Sequence, residues 1–437
     1  MRALYRPDQW DVVVVGGGIV GTAFAALLGN EAVTRPLRVA VLERATPEPR
    51  PATTPPIRVS AIAARTRRAF DKIGIWKELE PESCPYRSMA VWDSMAGGAR
   101  LQFDQESPER PLGHIIPNDT IQVALFNRVQ ELSQTSGVQL FKDVSVSSVS
   151  IPGEDQPEWA TVQCDNGQTF HTRLLVGADG ARSHIKEFAN IGTFGFGYNQ
   201  MGLVATVATN ESAQDKTAWQ RYLPTGPLAL LPLLGNRSSI VWSLPPTDAN
   251  QLKSLSKRKF LEVLNRCLSD SADLSSPFVL PESLRSMLQI ARQSPHAPIP
   301  KVLDLLTDRF LFPLHLRQAD TYVRHRVALI GDAAHYIHPQ AGQGLNQGIA
   351  DSIDLAECLK NAYGQDIGSM HLLQKYSTIA CQRNAAMLAG VHFIHKTYGL
   401  DTAGPIAALR NLGIDLINAS PDAKKAFMRV ATGESFS

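Results

Sequence analysis

In three places along the chain, an apolar run leads into glycine. In two of them an acidic residue follows within two positions of that glycine, and in the third the acidic residue ends a second apolar run. The most informative stretch covers residues 326–348, where the run Val327 to Ile330 ends in Gly331-Asp332 and a glycine-rich turn containing Gly344 follows. A carboxylate at the end of a strand can hold sugar-like hydroxyls, and glycines expose backbone N–H groups to a ring or a phosphate. We therefore expect this stretch to contact a large, flat, polyhydroxylated cofactor.

The second stretch lies near the amino terminus. The β-branched run Asp11 to Val15 leads into Gly16, Gly18 and Gly21, and a further apolar run ends at Glu43. The glycine spacing allows a tight turn, a close approach of pyrophosphate to the backbone, and packing of a helix on a strand. Glu43 is placed to accept hydrogen bonds from a ribose. Strand, glycines, helix and terminal acid together predict a dinucleotide-binding unit.

The third stretch is Leu174 to Gly177 followed by Asp179 and Gly180. Taken alone it reads as an ordinary turn, but beside the other two it becomes a third wall of one crevice at the strand ends. Two more polar residues are assigned to the cofactor: Arg58, where a proline-rich loop ends, and Asn118. Either Asn118 or Asp119 is the expected N-cap of a helix.

The sequence pattern between Tyr198 and Leu244 is typical of β-strands, because short apolar runs alternate with turns. This predicts an antiparallel sheet that can roof the crevice, with Arg221 as a catalytic candidate. Phe103, Trp219 and Trp242 are candidates for an apolar lining, although core packing is the more usual fate of each residue taken singly. The expected fold is α/β: a Rossmann-like dinucleotide-binding domain interleaved with an antiparallel β-sheet substrate domain, plus C-terminal helices. The expected boundaries are 1–85, 111–190 and 300–360 for the first domain, 86–110 and 191–299 for the second, and 361–437 for the helices.

Composition narrows the class of protein. The chain of 437 residues is 44% hydrophobic and 19% charged, which is typical of a folded globular protein. Its net charge of +2 gives no reason to expect nucleic-acid binding. The five scattered cysteines favour a reducing compartment over a disulfide framework. About ten residues precede the first expected strand, too few for a presequence, so we expect either that the protein needs no targeting segment or that one has been removed.

Two segments raise the question of membrane contact. Val12 to Leu28 is the most apolar segment, but its central glycines favour strand, turn and helix over a membrane-spanning helix. Residues 405–431 form an expected amphipathic helix that either docks on a membrane surface or packs on its own protein.

His335 and His338 are spaced as metal ligands could be on one helix face. A third ligand and an acid are not evident in the sequence. We therefore expect hydrogen bonding within their loop and no metal.

With all three stretches in hand, the chain resembles the FAD-dependent aromatic hydroxylases, the group A flavoprotein monooxygenases. Within that group it looks most like the ubiquinone-biosynthesis hydroxylases, especially the mitochondrial type, which would carry a presequence. The fold implied is that of the para-hydroxybenzoate-hydroxylase type. The resemblance rests on Gly177–Gly180, Gly331-Asp332, the loop His335–Asn346, and the runs Met89–Asp93, Trp219–Pro232 and Ser239–Ser243.

The resemblance implies which residues touch FAD. It gives Gly16, Gly18, Gly21 and Glu43 to the ADP half, Asp179 to the pyrophosphate, and Asp332 to the ribityl and phosphate groups. It places a loop beside the isoalloxazine ring, with no acid or base assigned in it. The residues assigned to this loop are Pro339, Gly342, Gln343, Gly344, Leu345 and Asn346.

The resemblance also implies the reaction: hydroxylation of the ring of a polyprenylated 4-hydroxybenzoate-like phenol by dioxygen, through a flavin C(4a)-hydroperoxide. Electrons would come from NAD(P)H directly or through a ferredoxin and its reductase. The implied location is the matrix face of the mitochondrial inner membrane, peripherally and within a ubiquinone-biosynthesis complex, if the source is eukaryotic. Otherwise it is cytoplasmic and membrane-associated.

Rival interpretations keep the flavin but change its use. One is a prenyl-chain reductase or a halogenase, although the paired-Trp loop of halogenases is not found. Another is an FAD-binding component of a quinone or isoprenoid biosynthetic assembly that does not turn over. A plain NAD dehydrogenase would leave Gly331-Asp332 without a purpose.

Overall fold

The structure is a computed structural model that describes residues 6–93, 100–104, 110–154, 156, 158–211, 216–223, 225–268, 299–336, 344–362 and 364–399. The strands in chain order are β1 Gln9–Val15, β2 Val39–Glu43, β3 Val59–Ile62, β4 Cys84–Tyr86, β5 Ser88–Asp93, β6 Arg100–Asp104, β7 Gly113–Pro117, β8 Val138–Lys142, β9 Val146–Ser150, β10 Ala160–Cys164, β11 Thr169–Gly177, β12 Thr193–Thr209, β13 Thr217–Leu223, β14 Gly226–Leu233, β15 Arg237–Leu244, β16 Val302–Leu305, β17 Phe310–Ala319, β18 Val323–Arg324, β19 Val327–Leu329 and β20 His335–Tyr336. The helices are α1 Ile19–Asn30, α2 Ala64–Ile73, α3 Trp76–Leu79, α4 Asn118–Leu132, α5 His184–Phe188, α6 Pro246–Ser254, α7 Lys257–Leu268, α8 Gly344–Lys360 and α9 Met370–Gly399, with short 3-10 turns at Glu80–Glu82 and Gly331–Ala333.

The first sheet brings the three glycine–acid stretches together. Its strands run in the order β18-β19-β11-β1-β2-β8, with β10 and β9 attached through β11. β1 is parallel to both β2 and β11, and Val15 is in register with Leu42 and with Gly177. Gly177 is in turn in register with Leu329 on parallel β19. The carboxyl ends of these strands therefore lie side by side, as the sequence predicted, and this confirms the expected α/β class.

The β-branched runs form the centre of this sheet because they are covered on both faces. Val12, Val13 and Val14 have no exposed surface. The segment Val12–Leu28 is strand β1, a turn and helix α1, as expected. No helix in the described ranges is long and apolar enough to cross a membrane.

The second sheet runs β20-β17-β12-β15-β14-β13-β5-β6, with β16 beside β12. Its pairings are antiparallel, as expected, except that β13 runs parallel to β5. The expected boundary at residue 300 falls earlier than the change of sheet, because β16 and β17 both pair with β12 in the second sheet. The chain returns to the first sheet only at β18.

The two faces of the second sheet have different partners. One face packs under α6 and α7, with Trp92, Trp219, Trp242 and Phe260 in a single buried cluster. The other face meets the small sheet β3-β7-β4, where Leu231 and Leu233 of β14 contact Ile115 of β7. The crevice therefore lies on the side away from the tryptophans.

The helices follow the expected pattern with one correction. α2 ends where Gly74 takes a left-handed φ of 94°. α4 begins at Asn118, but its N-cap is Pro117 and no side chain caps it, so neither Asn118 nor Asp119 holds the N-cap position. The expected helix at residues 405–431 lies outside the described residues.

Candidate active site

The glycines of the first turn have distinct structural roles. Gly16 has a φ of +106°, and a Cβ there would collide with the carbonyl of Ala178. A Cβ on Gly21 would collide with the carbonyl oxygen of Gly16, so this glycine lets α1 pack on the turn. A Cβ on Gly18 would meet nothing within 4 Å. Gly18 is also the N-cap of α1 and makes no side-chain cap bond, so the start of the helix faces open space where an anion can bind.

Glu43, at the end of β2, has a carboxylate held by backbone N–H groups. Its Oε2 accepts from the amide of Gly17 at 2.5 Å, and its Oε1 accepts from the amide of Ala45 at 2.9 Å. Each oxygen keeps a second lone pair. The acid is therefore oriented beside the glycine turn and can still accept from a hydroxyl pair.

Asp179 divides its two oxygens. Oδ2 accepts from the amides of His184 and Ile185 at 2.8 and 3.2 Å, which ties the turn to the start of α5. Oδ1 is buried and has no hydrogen-bond partner among the residues that the structure describes. A buried acceptor without a partner is costly, so this oxygen fits a donor supplied by a bound molecule.

Asp332 is exposed, although the surrounding protein desolvates its carboxylate. It follows Gly331, whose φ is +61°. Desolvation raises the pKa of Asp332 above its ordinary value, and nearby Asp351 adds to this while His335 and Arg58 oppose it. Within the described ranges its carboxylate accepts no hydrogen bond. It is thus free to accept hydroxyl donors from a ligand.

A cleft of about 370 Å³ lies between the two sheets next to these strand ends. Arg58, Asn118 and Arg182 line the side of the cleft that faces the first sheet. The second sheet and the rim supply the remaining walls. Arg58 lies 5.9 Å from the ring of Phe312, and the Oδ1 of Asn118 accepts from Ser60 at 2.8 Å. The second-sheet and rim residues are Val204, Ser239, Val241, Phe312, Pro313, His315, Arg317 and Tyr336.

The expected ring-side loop is only partly described. Pro339, Gly342 and Gln343, with His338, lie outside the described residues. Gly344 begins α8, and a Cβ there would meet nothing within 4 Å. Leu345 is half-buried against the main core.

Asn346 is committed to the protein itself. Its Oδ1 accepts from the amide of Ala63 at 3.0 Å and from Thr66 at 2.8 Å, and its Nδ2 donates to the carbonyl of Ala61 at 2.7 Å. These bonds fasten α8 to α2. Its side-chain oxygen is therefore used within the protein.

Arg221 lies on the face of β13 that turns away from the cleft. It is 2% exposed, donates to the carbonyl of Cys267 at 2.9 Å and lies 6.0 Å from the ring of Trp92. Trp219 and Trp242 pack on the same far side. This placement does not support a catalytic or lining role for these three residues. Phe103 packs with Met89 and Val91, on the other face.

A buried charge network behind Asp332 was missed by the sequence analysis. His335 bonds through Nε2 to Asp351 on α8 at 2.6 Å rather than within its own loop. Arg383 of α9 contacts both Asp351 and Asp354. In the described part of the chain, no three His, Cys, Asp or Glu side chains are grouped as metal ligands. The only sequence signal was the acid pair at 351 and 354, one helical turn apart.

Comparison with known proteins agrees with this geometry. Residues 9–277 and 284–390 match the family described as FAD binding domain. The chain is 35% identical to the mitochondrial ubiquinone biosynthesis monooxygenase COQ6 of Danio rerio, over 97% of this chain and 90% of that protein. It is 34% identical to the COQ6 monooxygenase of Homo sapiens, over 97% of this chain and 92% of that protein.

Among solved structures, PqsL from Pseudomonas aeruginosa, described as a probable FAD-dependent monooxygenase, matches with a TM-score of 0.70 at 21% identity. The match covers 93% of this chain and 99% of PqsL, and at this identity it supports the fold alone. The family match and the relatives carry the assignment. The chain belongs to the FAD-binding family of the ubiquinone biosynthesis monooxygenases, and it is an FAD-dependent monooxygenase.

Proposed function

We propose that this chain hydroxylates the aromatic ring of a polyprenylated 4-hydroxybenzoate-like phenol in ubiquinone biosynthesis. The relatives that share most of its length bear names from that pathway. The observation that carries the proposal is the cleft between the sheets, where the strand ends of an FAD-binding unit face a partly apolar wall. A flat aromatic ring suits such a space.

The residues present fit FAD. The open space at Gly18 and the free lone pairs of Glu43 suit the pyrophosphate and the ribose of the ADP half. The unpartnered Oδ1 of Asp179 suits a donor from the middle of the cofactor. Asp332 suits the ribityl hydroxyls, and Gly344, at the start of α8, suits the flavin ring, because a helix amino terminus favours negative charge.

FAD, when bound and reduced, supplies the activation of dioxygen, which no side chain can provide. The chain's own residues must hold the phenol, orient its ring and exclude water. Val204, Val241 and Phe312 form apolar parts of the cleft wall. Arg58 on the first side of the cleft and Arg317 on the second-sheet side are cations, and we propose that they favour phenolate character in the substrate.

The test begins with the purified protein, which should be yellow and bind FAD at one equivalent. Reduced protein is then mixed with a candidate prenylphenol under ¹⁸O-labelled dioxygen, and the product is analysed by mass spectrometry. The proposal expects one labelled oxygen atom in the ring. Flavin oxidation without any labelled product, across prenylphenols of several chain lengths, would favour a non-hydroxylating FAD-binding component instead.

We further propose that the electrons come from a ferredoxin-type donor or directly from NAD(P)H. Anaerobic reduction of the bound flavin by NADPH, and separately by reduced ferredoxin, distinguishes the two routes. The faster donor should also support the higher rate of product formation. A donor that reduces the flavin but yields no product would be rejected.

The relatives are named as mitochondrial. We propose the same compartment for this chain, with peripheral attachment to the matrix face of the inner membrane and membership of a biosynthetic complex. Co-sedimentation of the full chain with vesicles that contain anionic lipid, with and without salt, tests the attachment. Binding that is absent under all conditions would contradict it.

A further inference from the structure

One buried carboxylate contacts both ends of the turn that carries Asp332. Asp351 is 0% exposed, and its Oδ2 accepts from the amide of Gly331 at 2.9 Å. The same oxygen lies 2.6 Å from Nε2 of His335, which begins β20. An ionised carboxylate only accepts, so this ring nitrogen carries the proton. A single oxygen atom therefore fixes the backbone on both sides of Asp332.

Arg383 keeps this carboxylate charged in the interior. Burial by itself would raise the pKa of Asp351, but His335 and Arg383 hold it below its ordinary value. Asn384 also donates to Oδ1 of Asp351, at 3.2 Å. Arg383 and Asn384 belong to α9, whereas the turn belongs to the end of the first sheet. The C-terminal helix thus supplies the counter-charge for a group beside the cofactor turn.

Buried ion pairs of this kind are seldom needed for stability alone. Removing two charges from water is expensive, and well-packed apolar residues in their place are often as stable. Fixing one conformation is a reason for keeping such a pair that some proteins demonstrate. Here the residue to be positioned is Asp332, because it lies in the turn that Asp351 fixes.

We propose that Asp351 and His335 are positioning residues for FAD, and that Arg383 makes α9 part of the cofactor site. Asp351 holds the backbone between Gly331 and His335 so that the Asp332 carboxylate faces the cleft. This inference rests on the proposed contact of Asp332 with the cofactor. None of the positioning residues needs to touch FAD.

Two substitutions of His335 separate positioning from packing. His335→Gln keeps a side-chain donor for Asp351, whereas His335→Leu keeps apolar bulk beside Tyr322, whose ring stacks on His335 at 5.7 Å. Positioning predicts that the dissociation constant for FAD rises about tenfold or more in His335→Leu and stays within about threefold in His335→Gln. A packing role predicts the reverse order.

The full-length variants are titrated with FAD by flavin fluorescence, and the midpoint potential and visible spectrum of the bound flavin are recorded. Asp351→Asn should weaken FAD binding and shift the potential. Arg65→Met is the matched control, because Arg65 bonds to Asp354 at 2.7 Å and is not a partner of Asp351. It should leave FAD affinity within about threefold.

The inference is overturned if His335→Leu binds FAD as tightly as His335→Gln, or if Arg65→Met weakens binding as much as Asp351→Asn. Should Asp351→Asn fail to fold, the two His335 variants still decide. Asp332→Ala is measured alongside. If it retains full FAD affinity, the proposed role of Asp332 fails instead, and the two failures are distinguishable.

Discussion

The three acidic residues at the strand ends differ in how much of each carboxylate is bonded to the protein backbone and how much is left for a ligand. Glu43 and Asp179 each use part of their carboxylate to hold the backbone and leave part free. Within the described ranges Asp332 uses none of its carboxylate in this way, and desolvation raises its pKa. A carboxylate kept without partners where desolvation opposes its charge is typical of a binding site, where stability is given up for function.

For Asp332→Asn we expect weaker FAD binding and a more stable apoprotein. The raised folded-state pKa means that the stability contributed by Asp332 is present below its unfolded pKa and is lost as pH rises through the folded pKa. The variant should therefore melt higher than the wild-type apoprotein at neutral pH, with the difference vanishing below about pH 4. Its dissociation constant for FAD should rise at least about tenfold. Thermal melts of both apoproteins from pH 3 to 8, with FAD titrations at pH 7, check this; a lower melting temperature at pH 7 would contradict it.

The glycines of the first turn provide a matched pair. Gly18→Ala should fit the fold, because its Cβ meets nothing within 4 Å and its φ is −69°. We expect the free energy of unfolding of the apoprotein to change by less than about 0.5 kcal/mol. FAD affinity should fall about tenfold or more, because the methyl group occupies the anion's side of the turn.

Gly21→Ala should behave in the opposite way. Its Cβ would collide with the carbonyl oxygen of Gly16, so we expect a loss of about 1–3 kcal/mol in unfolding free energy even without cofactor. Urea denaturation of both apoproteins and FAD titration of each separate the two effects. Equal stability of the two variants would rule out the different roles assigned to these glycines.

At the scale of elements, the second sheet separates a helix-covered core on one face from the cleft on the other. Alternation along β13 and β15 sends Trp219, Arg221 and Trp242 towards α6 and α7, and Val241 towards the cleft. The two faces should therefore respond differently to mutation.

Arg221→Met should destabilise the sheet and leave catalysis intact. The guanidinium that donates to the carbonyl of Cys267 is lost, and that carbonyl is left with one partner fewer, so we expect about 1–3 kcal/mol less unfolding free energy. The hydroxylation rate per bound flavin should stay within about twofold. A large fall in that rate with unchanged stability would restore Arg221 as a catalytic candidate.

Val241→Phe should have the complementary effect. The larger side chain projects into the cleft of about 370 Å³ and takes up space that we assign to the substrate ring. FAD affinity should stay within about threefold, while kcat/KM for the prenylphenol falls about tenfold or more. Steady-state kinetics beside an FAD titration measure both; weakened FAD with unchanged kcat/KM would mean that the flavin occupies this space.

At the scale of the whole molecule, the cofactor site draws on distant parts of the chain. Periodicity and glycine spacing were enough to predict the strand ends, because the runs at 11–15, 174–177 and 327–330 are apolar and the glycines follow them directly. The direction of Arg221 and the tryptophans could not be predicted, because alternation places residues on two faces without saying which face is covered by helices. The Asp351–Arg383 pair escaped prediction because its members lie on different helices, and only tertiary packing brings them together.

Strand β20 follows the Asp332 turn directly, and its two residues bond to β17 of the second sheet through His335 with Gln318 and Tyr336 with Arg317. The segment that carries Asp332 is thus hydrogen-bonded directly to the second sheet. The second sheet therefore cannot be exchanged for a sheet of another substrate specificity as an independent unit. A replacement sheet would need a strand that pairs with β20 as β17 does. Without that pairing we expect the Asp332 turn to lose its position and FAD affinity to fall.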